Sequence, residues 1–166
     1  MKKPISTDRT GENIARVLEI LKRTPDQLEA FLGPGSGVDP EKPLAPGERT
    51  SVEVLAHLIY TEALSSEHII LALLVDEPKL VMVHAQRQLG KLLGYEAFPV
   101  PELLAYIRFR RTALMRILNS LNDRQWSRTV DKGLTRMESV YWAARGLALH
   151  ELAHLHDLRE KLDATG

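Results

Sequence analysis

The sequence predicts an all-α fold, a four-helix bundle, and three observations carry that prediction. All nine prolines fall at or before Pro101, so residues 102–166 are free of the strongest helix breaker. Four long segments place apolar residues at the three-and-four spacing of a helix with one buried face. Two of them open on capping boxes, Thr50-Ser51-Val52-Glu53 and Thr135-Arg136-Met137-Glu138, in which Thr and Glu can satisfy each other's exposed backbone donors. No segment reads firmly as a strand. The 166 residues make a single domain, 1–166, long enough for a sizeable core.

The first helix runs from near Thr10 to Leu32, with Ile14, Val17, Leu18, Leu21, Leu28 and Phe31 inward. Pro25 is a candidate break in it, because the residue before a proline resists the helical region. Gly33 to Gly47 is dense in glycine and proline and reads as a connector. The second helix starts at the Thr50 box and continues to about Asp76, where Pro78 stops it. Leu80 to Leu93 reads as a shorter helix or as helical turns, ended by Gly94. The third follows Pro101, a residue favoured in a first turn, and extends to about Leu121 with Leu104, Ile107, Leu114 and Leu118 inward. A loop carries Trp126, Asp131 and Gly133, and the fourth helix runs from the Thr135 box to about Lys161.

The span from Asp76 to Pro101 is long enough to return along the whole bundle, whereas the other links suit simple reversal. The expected topology is therefore up-down-down-up, with a long crossover between helices two and three. Helices two and four are then antiparallel.

That arrangement gives three histidines a meaning. His150 and His154 stand one turn apart, about 40° apart around the helix axis, and Leu147 and Leu158 turn their face inward. Such a pair can reach one metal ion; it can equally be two half-buried histidines bonded to polar groups or water. His57 lies about 9 Å from the start of helix two and His154 about 10 Å from the end of helix four. Antiparallel neighbours bring them level. Three imidazoles at one end of a bundle form a ligand set with open positions, the catalytic rather than the structural pattern.

Other residues have two readings. Glu151, about 60° around the helix from His154, is a candidate general base, or else a solvated or salt-bridged residue. Arg110 and Arg111 are candidates to bind an anionic substrate, or ion-pair partners at a bundle edge. His68 follows His57 by eleven residues, about 16 Å away, and cannot share an ion with it. His156 reads as solvated and His84 as peripheral. Trp126, Tyr141 and Trp142 read as packing anchors.

The sequence resembles the DinB/YfiT-like superfamily of metal-binding four-helix bundles. The resemblance rests on Ser51-Val52-Glu53-Val54-Leu55-Ala56-His57-Leu58 with Glu62 soon after, and on His150-Glu151-Leu152-Ala153-His154 near the end of helix four. It implies a divalent metal, often zinc or nickel, held by His57, His150 and His154. It also implies a small-molecule substrate, handled by thiol transfer with an external low-molecular-weight thiol or by metal-assisted hydrolysis. A non-catalytic metal- or ligand-binding bundle is the alternative. One departure is Gly47-Glu48-Arg49, where family members often place an aromatic just before helix two. Bundles of this size often associate and the resemblance points the same way, so a homodimer is expected. The pocket walls are expected from Leu32 to Arg49 and from Tyr95 to Tyr106.

Composition excludes several classes. Lys plus Arg and Asp plus Glu both number 22, so no net charge attracts the chain to nucleic acid or an anionic membrane. There is no cysteine, hence no disulfide, thiolate ligand or cysteine nucleophile. No secretory leader or membrane span is read, and a cytoplasmic location is expected. His150 to His154 also satisfies H-E-x-x-H, the zinc-protease signature. Its extended form needs glycine at 157 and histidine at 160, where this chain has Asp157 and Glu160, and no strand is available to align a peptide.

Overall fold

A computed structural model describes residues 5–76, 78–79, 90, 92–132 and 137–165. Its four long helices are α1 (Gly11–Leu32), α2 (Ser51–Leu74), α3 (Val100–Ser120) and α4 (Val140–Thr165). Between α3 and α4 lie a single helical turn, Asp123–Trp126, and two short antiparallel strands, β1 (Thr129–Val130) and β2 (Glu138–Ser139).

Two clusters of buried side chains fix the helix directions. One joins Val17 and Leu21 of α1, Ile69 and Ala72 at the end of α2, Leu114 and Leu118 at the end of α3, and Tyr141, Ala144 and Leu147 at the start of α4. The other joins Leu28 and Leu32, Leu55 and Leu58, Leu103 and Leu104, and Leu155 and Leu158. Those pairs are the late residues of α1 and α4 and the early residues of α2 and α3. The first and fourth helices thus run one way and the second and third the other. Both α1 and α2 pack against α3 and α4, which leaves α2 and α4 as antiparallel neighbours.

Three local expectations are corrected. Pro25 lies inside α1 and does not divide it. A helix-interior proline has no N–H to give the carbonyl four residues earlier. That carbonyl, on Leu21, instead accepts a hydrogen bond from Arg111 Nη1 across the bundle. The fourth helix begins at Val140 rather than at the Thr135 box. Glu138 is in β2 and ion-paired with Lys132, and the Ser139 hydroxyl accepts the Trp142 N–H at 3.2 Å, as a helix cap does. Strands β1 and β2 are themselves a departure from the expected loop. Thr135, Arg136, His84 and most of the expected Leu80–Leu93 helix lie outside the described residues, as does much of the link between α2 and α3.

The remaining signals translate directly. Thr10 caps α1, its hydroxyl accepting the Asn13 N–H at 3.1 Å. The Thr50 box caps α2 in both directions: Thr50 N–H donates to Glu53 at 2.7 Å and Glu53 N–H donates to the Thr50 hydroxyl at 3.2 Å. Trp126 and Tyr141 are buried anchors. Arg145, also buried, donates to the carbonyls of Ile5 and Ser6 and ties the N-terminal segment to α4.

Candidate metal centre

Capping fixes where α2 starts, and His57 follows two turns later on the side that meets α4. There it faces His150 and His154. One ring nitrogen from each of the three histidines lies within 4.8 Å of the others, and His57 Nε2 is 3.0 Å from His150 Nε2. Two imidazoles on one tetrahedral zinc, at about 2.05 Å each, would be about 3.3 Å apart, so modest side-chain closure gathers the set. Among the described residues no other group of histidines and carboxylates converges this way.

The electrostatics favour the ligand form. Burial, and then the neighbouring imidazoles and Arg49, depress His57 to a pKa of about 4. Burial, His154 and Arg49 take His150 to about 4, and burial with Arg49 lowers His154 too. All three rings are therefore neutral at pH 7, with lone pairs available. The second nitrogen of His57, Nδ1, is 2.5 Å from Tyr60 Oη. A proton on Nδ1, donated to Tyr60, selects the tautomer that leaves Nε2 free for a cation. His150 Nδ1 is buried and has no hydrogen-bond partner. Three neutral imidazoles, converging and half-buried without a thiolate or carboxylate among them, fit a divalent ion of the class that accepts nitrogen ligands.

Glu151 does something other than the expected work of a base. Its carboxylate is fully buried and held by Arg111, whose Nη1 is 3.1 Å from Oε2 and whose Nη2 bonds Oε1. Glu62 from α2 completes the cluster 3.6 Å from Arg111 Nη2, an ion-pair distance beyond hydrogen-bonding range. Glu62 and Glu151 are 0% exposed and Arg111 3%. Two carboxylates face one guanidinium, so a proton resolves the charge imbalance. Burial raises Glu62 to a pKa of about 7, the nearby arginine offsetting only part of the effect. Burial disfavours charge on Arg111 as well, but Glu151 and Glu62 more than compensate and hold its pKa above the ordinary value. This cluster pins α4 to α2 and α3 at the residue next to His150. Removing Glu151 alone would take the hydrogen-bonded carboxylate from Arg111 and leave Glu62, 3.6 Å away, as the counter-charge beside it.

The expected anion-binding arginines are therefore not brought to the histidines. Arg111 is a core ion-pair residue, and Arg110, half-buried, lies over the Tyr106 ring at 5.8 Å. His68 stands apart from the trio, as its spacing required, and His156 is exposed beside Glu160. The expected wall stretches do line clefts at this end, one including Leu32, Pro34 and Val100, another Tyr95, Phe98 and Tyr106. Neither includes a histidine of the trio. The cleft that reaches His150 runs instead beside His68, Lys132, Glu138 and Trp142, with a volume of about 510 Å³.

Tyr60 was missed by the sequence reading, although its i+3 spacing from His57 on a helix carried the signal. The pairing of Glu62 and Glu151 with Arg111 joins three helices and had no local signal.

Fold and site together define a helical-bundle protein with a three-histidine centre suited to a divalent cation. The chain belongs to the DinB superfamily, whose family model matches residues 7–158. Among solved structures it is similar to YfiT from Bacillus subtilis, described as "a probable metal-dependent hydrolase with an unusual four-helix bundle topology". The two share 17% identity with a TM-score of 0.83, over 97% of this chain and 92% of that one, a likeness of fold. No curated protein matches the sequence.

Proposed function

We propose that His57, His150 and His154 hold one divalent cation, zinc or nickel as the family resemblance implies, and that the protein is a metal-dependent hydrolase of small molecules. The observation that carries this reading is the convergence of three neutral imidazoles within 4.8 Å. The description of YfiT as a probable metal-dependent hydrolase supports it from outside the chain. A cation held by these three imidazoles would supply Lewis-acid polarisation and activation of water near neutral pH. The chain's own residues do the rest. Tyr60 orients His57, the Arg111–Glu151 pair holds the helix carrying the other two ligands, and half-burial strengthens every charge interaction at the site.

The test is hydrolysis of a panel of small esters and amides by the protein loaded with zinc or nickel. Activity should vanish on chelation, return with the ion, and be absent from His57→Ala. Turnover that requires an added low-molecular-weight thiol would reassign the same centre to thiol transfer. Tight metal binding with neither activity would leave a metal- or ligand-binding bundle. We also propose a homodimer, supported by large apolar side chains left exposed, Leu92 at 83% and Phe109 at 73% among them. Light scattering at micromolar concentration showing only monomer would contradict it.

A further inference from the structure

The cleft of about 510 Å³ between α2 and α4 runs from Lys132 and Glu138 to His150. Ser65 and His68 line it from α2, and Trp142, Arg145, Gly146 and Leu149 from α4. Its α4 wall is cut back at Gly146. Glycine in a helix interior gives up about 1 kcal/mol relative to alanine. Packing does not demand it here, because a Cβ on Gly146 would meet nothing within 4 Å. What this residue provides is open space in the cleft.

The charges along the cleft do not cancel. Lys132 and Glu138 pair with each other. Arg145 is 2% exposed and has no acidic partner among the described residues. Its Nε and Nη2 donate to the carbonyls of Ile5 and Ser6, which use those donors without neutralising the cation. Its Nη1 makes no hydrogen bond among the described residues and is not sealed from solvent. His68 is half-buried, and burial, then Lys132, depress its pKa to about 4, so its ring is neutral at pH 7. Neither His68 nor the Ser65 hydroxyl makes a hydrogen bond among the described residues. Lys132 and Arg145 set against Glu138 leave one surplus positive charge. Arg145 Nη1, His68 and Ser65 are donors with no acceptor, and Ala143, Leu147 and Leu149 supply apolar wall.

We propose that this cleft binds a small organic monoanion, a carboxylate on an apolar body, with Arg145 as the anchor and His68 and Ser65 as further donors. No metal ion takes part in this recognition. A buried guanidinium without a counter-charge is costly, and a carboxylate supplies that charge through hydrogen bonds stronger than neutral ones. A phosphate dianion would bring a second negative charge with no cation to meet it, because Lys132 is already paired. The volume and the mixture of apolar wall with a few polar groups are those of a small-molecule pocket.

Isothermal titration with hydrocinnamate, its uncharged amide and phenyl phosphate tests this on the zinc-loaded wild type and on three variants. Hydrocinnamate should bind the wild type about tenfold more tightly than the amide, the size of one charge-assisted contact, and should bind His57→Ala equally well. Gly146→Leu fills the cleft from its α4 wall with a better helix former. It should melt no lower than wild type and lose about tenfold in hydrocinnamate affinity. Arg145→Gln should lose the preference for acid over amide. Arg145 also ties the N-terminal segment to α4, so Gly146→Leu decides if Arg145→Gln fails to fold. Hydrocinnamate that does not bind the wild type, or that binds Gly146→Leu as tightly, overturns the assignment. So does a preference for the acid that survives in folded Arg145→Gln. Binding lost in His57→Ala would put the acid on the histidine centre instead of in the cleft. Phenyl phosphate as the tightest ligand would overturn the choice of a monoanion.

Discussion

Replacing Glu62 with glutamine should make the protein more stable at alkaline pH than at acid pH, relative to wild type. The substitution keeps the shape of the side chain and removes its ability to ionise. In the folded protein Glu62 titrates at about 7 against an ordinary value of 4.5, because burial outweighs its pairing with Arg111. The proton is therefore held more tightly folded than unfolded. Below the unfolded value both states are protonated and the group costs nothing. Between 4.5 and about 7 the unfolded chain releases the proton first, so stability falls as pH rises, and above 7 the loss is complete. At about 1.4 kcal/mol per pH unit the total is about 3 kcal/mol. Urea unfolding of the chelated proteins, followed by circular dichroism below pH 4.5 and above about pH 7, reads it directly. The histidines depressed by burial act in the opposite sense, their contribution lost as pH falls through about 4. They are common to both proteins and cancel in the difference. The gap between variant and wild type should widen by about 3 kcal/mol toward high pH. An equal gap at both pH values would refute the account of the buried cluster.

Three further outcomes are expected. Chelated protein should stay helical and melt cooperatively at a lower temperature, since four apolar helix faces make the core; a bound ion adds about 4 kcal/mol at a thousandfold excess over Kd, and random-coil circular dichroism after chelation would contradict this. Tyr60→Phe should weaken metal binding about tenfold with helicity unchanged, because His57 loses its orienting partner; calorimetry showing wild-type affinity would remove Tyr60 from the site. Pro25→Ala should change stability by less than about 1 kcal/mol, far from the ~3 kcal/mol that removing a helix-interior proline ordinarily returns. The Leu21 carbonyl that Pro25 leaves open is already bonded by Arg111, and a gain near 3 kcal/mol in urea unfolding would show that bond to be idle.

What the sequence revealed were features written in helical spacing. Thr50 and Glu53 announced the start of α2, and His57, His150 and His154 could be set level because both helices are regular. What it concealed depended on partners distant in the chain. Glu151 lies beside two histidines in sequence, yet its carboxylate meets Arg111, forty residues earlier, in the core. Charged residues are rarely buried unless paired, and a single sequence does not name the pair. Pro25 looked like a break because the rule concerns one helix; the compensating donor comes from another. The Thr135 box failed for a related reason, since pairing of β2 with β1 places Glu138 in a strand.

The central claim is that three histidines from α2 and α4 hold one ion. Metal analysis of protein purified without an affinity tag, set beside His57→Ala prepared identically, tests it most directly. The account predicts one equivalent of zinc or nickel per wild-type chain and almost none in the variant, because two remaining imidazoles hold an ion poorly against buffer. Equal metal content in the two proteins, or none in the wild type even after incubation with either ion, would contradict it.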